Sequence, residues 1–141
     1  MAKQTFSGFE SLENQLEKLG RESVRRLVNA GADALAETTT ELIDQYHHIG
    51  KTGSMRKNVR PGQYHETLSG GWQEVYPQGV DPRGVSNAMK AFVINYGYGG
   101  EETAKTGDKF ITGNKKKRQD AVKAAMEKEN QIILNEANGG T

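Results

Sequence analysis

The sequence predicts an α+β fold: a long N-terminal helix and a C-terminal helix packed on a small, mainly antiparallel sheet with long loops. Three observations lead there. Of 17 glycines, 12 fall between Gly50 and Gly113, together with all three prolines, Pro61, Pro77 and Pro82. Such residues set turns and interrupt helices, so the middle reads as strands and loops. Both flanks instead carry apolar residues at helical spacing. Finally, 141 residues with 34% hydrophobic content bound the chain to one domain with a small core. That domain is expected over 1–141, with its core over about 9–136, a flexible loop over about 97–113 and a frayed tail at 137–141.

In the first flank Phe9, Leu12, Leu16 and Leu19 recur at spacings of three and four, predicting a short helix that stops at Gly20. A longer helix is expected from Arg21 to His47, with Val24, Leu27, Val28, Gly31, Leu35, Leu42 and Tyr46 on its stripe. The small residues between Ala30 and Ala36 let another backbone come close, so this helix is expected tightly against the sheet. In the middle, residues 68–76 alternate in a strand-like way up to Pro77, and a turn-rich connection follows to Gly84. Ala88–Tyr96 is the most strand-like segment, apolar on both faces, and is read as a central strand. The polar stretch after Tyr96 reads as a long loop, the kind that is usually functional or disordered. A last helix is expected from about Asn114 to Asn135 on the stripe Val122, Ala125, Met126, Glu129, Ile132 and Ile133.

Composition removes several classes of function. Zero cysteines exclude a disulfide scaffold, a thiol nucleophile and a cysteine-ligated zinc. No apolar run reaches the roughly 18–20 residues of a spanning helix, and the N-terminal residues lack the apolar core of a signal peptide. The expectation is a soluble protein of a reducing compartment, with no membrane partner. The near-neutral balance of 19 basic and 18 acidic residues disfavours bulk nucleic-acid binding. Yet residues 1–49 hold 5 basic against 8 acidic groups, and residues 114–141 hold 6 against 4. An acidic front and a basic back suit subunits that meet each other.

No catalytic set, metal site or cofactor is read from the sequence, and no enzyme is expected. The adjacent His47 and His48 point about 100° apart on a helix, so they cannot chelate one ion as an i, i+4 pair would; they read as histidines at a helix end. Gly97-Tyr98-Gly99-Gly100 follows a strand-like run but opens no helix, and Gly50-Lys51-Thr52-Gly53 lacks the upstream glycine of a phosphate loop. Lys115, Lys116, Lys117 and Arg118 form a basic run at the start of the last helix, where positive charge opposes the helix dipole. It reads as a solvated helix end or as a contact to an acidic subunit or to phosphates.

Three segments, in order, resemble the head–tail joining (tail-completion) proteins in the neck of long-tailed double-stranded DNA phages. A long helix leads into Thr52-Gly53-Ser54-Met55-Arg56, similar to a Thr-Gly-x-Leu-Arg segment in that family. Ala91-Phe92-Val93-Ile94-Asn95-Tyr96-Gly97 is similar to its central strand Ala-Tyr-Val-Val-Glu-Phe-Gly. Lys109-Phe110-Ile111-Thr112 matches loosely a Pro-Phe-Leu segment that opens the last helix. The chain has Met55 for the leucine, Asn95 for the glutamate and no proline before Phe110. Physical roles accompany the match. Gly53 is suited to end the long helix with positive φ, Thr52 or Ser54 to cap the next turn, Met55 and Val59 to return to the core, and Arg56 to pair with an acid or a carbonyl. Ala91, Val93, Tyr96 and Gly97 complete the structural motif, with Tyr96-Gly97 ending the strand.

The resemblance implies a virion structural protein, not an enzyme: a homo-oligomeric ring, expected to be a hexamer, assembled in the host cytoplasm and located in the neck. Its implied partners are its own copies, the head connector or stopper protein, and the tail terminator or tail tube protein. Genomic DNA would pass through the lumen without specific binding. Candidate docking residues are Tyr98, Lys109, Phe110 and Lys115–Arg118. A tail terminator capping the tube is the neighbouring alternative. A small nucleic-acid-binding protein, using Lys115–Arg118 with Tyr96 and Tyr98 as stacking groups, is the alternative from another class.

Overall fold

A computed structural model describes residues 2–99 and 105–139, with side chains described at residue 14 and from residue 17 onward. It is an α+β structure: a long N-terminal helix α1 (Ala2–Gln45), a C-terminal helix α4 (Lys115–Ala137), and between them two short helices and three two-stranded antiparallel ladders. The short helices are α2 (Ser54–Lys57) and α3 (Asn87–Tyr96). The strands are β1 (Val59–Pro61), β2 (His65–Thr67), β3 (Gly70–Trp72), β4 (Val75–Pro77), β5 (Gly97–Tyr98) and β6 (Lys105–Thr106). Among the described residues no helix is long and apolar enough to cross a membrane.

Four sequence expectations are corrected. Gly20 does not end a helix. α1 runs through it for 44 residues, roughly 66 Å at 1.5 Å per residue; one glycine costs a helix only about 0.5–1 kcal/mol relative to alanine. The side chains of Phe9, Leu12 and Leu16 lie outside those described. At its other end α1 stops at Gln45, short of His47, which takes a positive φ of 57°. The stop is therefore not at Gly53, whose φ of 66° instead opens α2.

The second correction is larger. Ala88–Tyr96 is a helix and not a central strand. Ser86 caps it, its hydroxyl accepting the Met89 N–H at 3.2 Å. Asn87, Ala91 and Asn95, four residues apart, are buried, and Ile94 packs beside them on the core. Met89, Phe92 and Tyr96 face solvent. The expected face of Phe92, Ile94 and Tyr96 is thus split by the 3.6-residue period: Ile94 faces inward and the two aromatics outward. Gly97, with φ of 83°, ends the helix by donating its N–H to the Val93 carbonyl.

Third, the strand expected over 68–76 is two short ones separated by a break. β1–β4 and β2–β3 are nested parts of one interrupted hairpin with its tip at Leu68-Ser69. Val59 pairs with Pro77, and His65 with Trp72. Counting between the ladders, Gly62-Gln63-Tyr64 stands opposite Gln73-Glu74, so one extra residue bulges from the first strand. The Gln73 side chain bridges the break by donating to the Gly62 carbonyl at 2.8 Å. Tyr64, released by the bulge, lies against Gly71, where any Cβ would overlap its ring, and the Arg25 guanidinium covers it at 5.3 Å. That contact ties the hairpin to α1.

Helices α1 and α4 run antiparallel, since Arg26 meets Glu129 and Glu136 while Gly31 meets Val122 and Met126. The close approach read from Ala30–Ala36 is therefore made by α4, not by a sheet. A Cβ on Gly31 would sit 3.1 Å from Val122 Cγ1 and 3.2 Å from Met126 Cγ. Two opposing effects follow for substitutions there. Gly31→Ala gains about 0.5–1 kcal/mol of helix propensity and spends it on the tight contact, so near-neutral stability is expected. Gly31→Leu overpacks the seam and should cost about 1–3 kcal/mol, read as a lower urea midpoint with an unchanged slope.

Candidate functional site

The buried apolar cluster is small: Leu42, Ile43, Met55, Ala91 and Phe110, with Tyr46, Val59, Ile94 and Ile111 against it. It sits at the C-terminal end of α1, where α2, α3 and the segment before α4 converge. Every residue of the Thr52–Arg56 motif is used within this corner. The Thr52 hydroxyl accepts the Ser54 N–H at 3.2 Å. Ser54 Oγ accepts from Asn87 Nδ2 at 3.0 Å, and the Ser54 carbonyl accepts from Asn58 Nδ2 at 2.7 Å. Met55 enters the core, and Val59 packs on it. Arg56 pairs with Asp44 through two bonds, 2.5 Å and 2.9 Å, and its guanidinium holds the Asp44 carboxyl below the usual carboxylate range.

Ala91 is buried, Val93 half-buried, and Tyr96 exposed with its ring 4.8 Å from that of Phe92. At Gly97 a side chain would strike the Lys105 carbonyl and the Gly107 N–H, so glycine alone lets β5 and β6 close. Of the expected loop over 97–113, residues 100–104 lie outside the described residues. The remainder is tied down, by the β5–β6 pairing and then by Asn95. The amide oxygen of Asn95 accepts the N–H of Ile111 at 3.0 Å and of Thr112 at 3.1 Å.

Phe110 corrects the docking expectation. It has no exposed surface and lies among Leu42, Ile43 and Met55, its ring 6.2 Å from Tyr46 and 5.1 Å from His48. The Asp108 carboxylate fixes this placement, accepting the Phe110 N–H at 3.0 Å and pairing with His48. His48 is thus packed and paired, while His47 is exposed. Tyr98 and Lys109 are exposed, as are Lys115, Lys116 and Lys117, whereas Arg118 is half-buried against α1. The basic run therefore splits: three lysines face water and the arginine turns inward.

The surface holds features that sequence reasoning missed. Met89, Phe92 and Tyr96 form an apolar stripe along α3, each more than half exposed, and Tyr98 follows at 48%. Leu68 stands fully exposed at the hairpin tip. Ser86 was the available signal for the stripe, because an N-cap serine fixes the helical phase of all that follows. Among the described residues no three His, Cys, Asp or Glu side chains gather to hold a metal ion. What the arrangement offers chemically is contact surface, with exposed aromatics on one short rigid helix.

Asp81 is a second buried polar anchor beside this stripe. Its Oδ1 accepts the N–H groups of Arg83 and Val85, both at 2.9 Å, and Oδ2 meets Lys90 Nζ at 2.5 Å. The Lys90 ammonium, more than any other group, holds the Asp81 carboxyl well below its ordinary value. No protein-family model, curated protein or solved structure matches the chain.

The lowered Asp81 value fixes a sign for stability. A carboxylate with a folded-state pKa below its unfolded value of about 3.9 stabilises the fold above that value, and the benefit is lost as pH falls. Asp81→Asn should be less stable than the parent at pH 7. The difference should shrink steadily below about pH 4, measured by chemical denaturation across pH.

Proposed function

We propose that this chain is a self-assembling structural protein, and that the assembly is a ring. Its particular place, on this reading, is the neck of a long-tailed double-stranded DNA phage, where it joins the completed tail to the connector of the filled head. The observation that carries the reading is the outward stripe Met89, Phe92 and Tyr96 on α3; the sequence there is similar to the neck family's central strand, whereas this chain makes it a helix. The inward members of that segment, Ala91 and Asn95, fix α3 on the core. Its outward members are left for a partner. A chain whose main buried cluster is five apolar side chains leaves this much aromatic surface in water at a cost, and contiguous exposed apolar surface marks interaction sites.

The Thr52–Arg56 segment supports the reading differently. Its residues shape the corner that presents α3, so in this chain the segment serves architecture. Lys115–Lys117 remain solvent-facing and are proposed for an outer or intersubunit surface. A channel lined by strong phosphate ligands would retard DNA passage.

Deletion of the gene from a phage that carries it tests the proposal. The expected products are DNA-filled heads and finished tails that remain unjoined, with infectivity lost, and restoration by the supplied protein. Normal infectious particles would contradict the proposal. Overlong tails would instead assign the chain as a terminator.

A further inference from the structure

Where α4 lies along α1 it leaves an open groove of about 730 Å³. Leu27, Leu35, Val122 and Met126 make its floor apolar, and Lys115 and Arg118 stand at one end. Arg118 is half-buried there, and its Nε has neither solvent nor a hydrogen-bond partner among the described residues. Burial alone pushes the guanidinium pKa down. An unpaired buried donor on a charged group is costly, and a carboxylate placed beside it would remove that cost.

A segment of matching chemistry exists in the same chain. α4 reaches Ala137 close to where Glu136 pairs with Arg26, so the first twenty or so residues of α1 run on past it. Residues Glu17–Glu22 are all exposed, Leu19 at 60%. Along this arm the sequence puts Phe9, Leu12, Leu16 and Leu19 in one helical stripe. Glu10, Glu13 and Glu17, spaced i, i+3, i+7, form the adjoining row. Glu17 is paired with Arg21 of its own helix at 3.3 Å, and the i, i+3, i+7 spacing sets Glu10 and Glu13 in the same row. Because α1 continues unbroken through Gly20, the arm points away from the groove of its own copy.

We propose that the α1 arm of one copy, residues 2–20, docks in the α1–α4 groove of a second copy, its apolar stripe on the groove floor and Glu10 or Glu13 on Arg118. The contact rests on the proposed self-association and not on the neck location. Arm and groove are different surfaces, so the contact is head-to-tail, the type that closes into a ring when its rotation permits.

The chain has no cysteine, which makes disulfide trapping specific. Full-length Leu12→Cys and Val122→Cys proteins, mixed and oxidised, should give a covalent heterodimer that a Ser69→Cys control does not. One chain carrying both substitutions should give a ladder of linked copies. A double variant that links only within itself would show the arm folded back on its own groove and overturn the proposal, as would no link at all. Sedimentation tests the ion pair: Arg118→Glu should weaken self-association roughly tenfold or more, and Glu10→Arg with Glu13→Arg should restore it. Circular dichroism checks that each variant folds, and Lys115→Glu at the exposed rim serves if Arg118→Glu does not. Unchanged association in the charge-reversed variants overturns the pairing. Because these readouts need no virion, a positive result beside a normal deletion phage would separate this contact from the neck assignment.

Discussion

A single buried amide decides how the second half of the chain returns to the first. The Asn95 side chain accepts two consecutive backbone N–H groups, from Ile111 and Thr112, and donates to the Thr112 hydroxyl at 3.3 Å. Its own carbonyl accepts the Lys109 N–H at 3.0 Å, and the Ile94 carbonyl accepts that of Asp108 at 3.1 Å. The end of α3 is therefore a template on which 108–112 is laid down. With that segment fixed, Phe110 has one place to go, beneath Tyr46 and His48. Removing the amide would take the acceptor from two part-buried N–H groups, at about 0.5–1.5 kcal/mol each. Against a total stability of typically 5–15 kcal/mol, that is a large share.

The reason polar groups carry so much here is the size of the apolar core. Among the described residues the main cluster of five buried apolar side chains cannot alone specify the path of a middle with 12 glycines. Asn87 ties α3 to α2 and to Gln78, Asp81 organises the turn before α3, and Asn114 links Tyr46 to the Phe110 carbonyl. Each of these side chains satisfies backbone groups that a larger core would have left to regular strands. The same shortage explains the outward stripe on α3: the inner face of that helix is spent on the core, and the outer face has nothing within the described chain to cover it.

How far the sequence revealed this depended on the length of the pattern. The helical flanks were legible because their stripes repeat over many turns, although α1 was read as two helices parted at Gly20, and the small residues between Ala30 and Ala36 were legible as a place of close approach. Only its partner was misassigned. Arg56 was readable as a residue seeking an acid or a carbonyl, and it finds the acid Asp44. Ala88–Tyr96 was misread because phenylalanine, valine, isoleucine and tyrosine favour strands when counted by type. Nine residues of alternating character fit a period of 2 and of 3.6 about equally, and Ser86 and Gly97 at the two ends break the tie for a helix. Phe110 was taken for a docking residue because nothing local distinguishes a buried aromatic from an exposed one. Its burial is dictated by Asn95, fifteen positions away.

Amide hydrogen exchange tests the central claim directly. If Asn95 templates the return segment, the amides of Ile111 and Thr112 should be protected to the level of the Leu42–Ile43 turn of α1. In Asn95→Ala they should lose that protection selectively, while the α1–α4 seam at Gly31 keeps its own. Fast exchange of Ile111 and Thr112 in the parent protein, or equal protection in both proteins, would contradict the account.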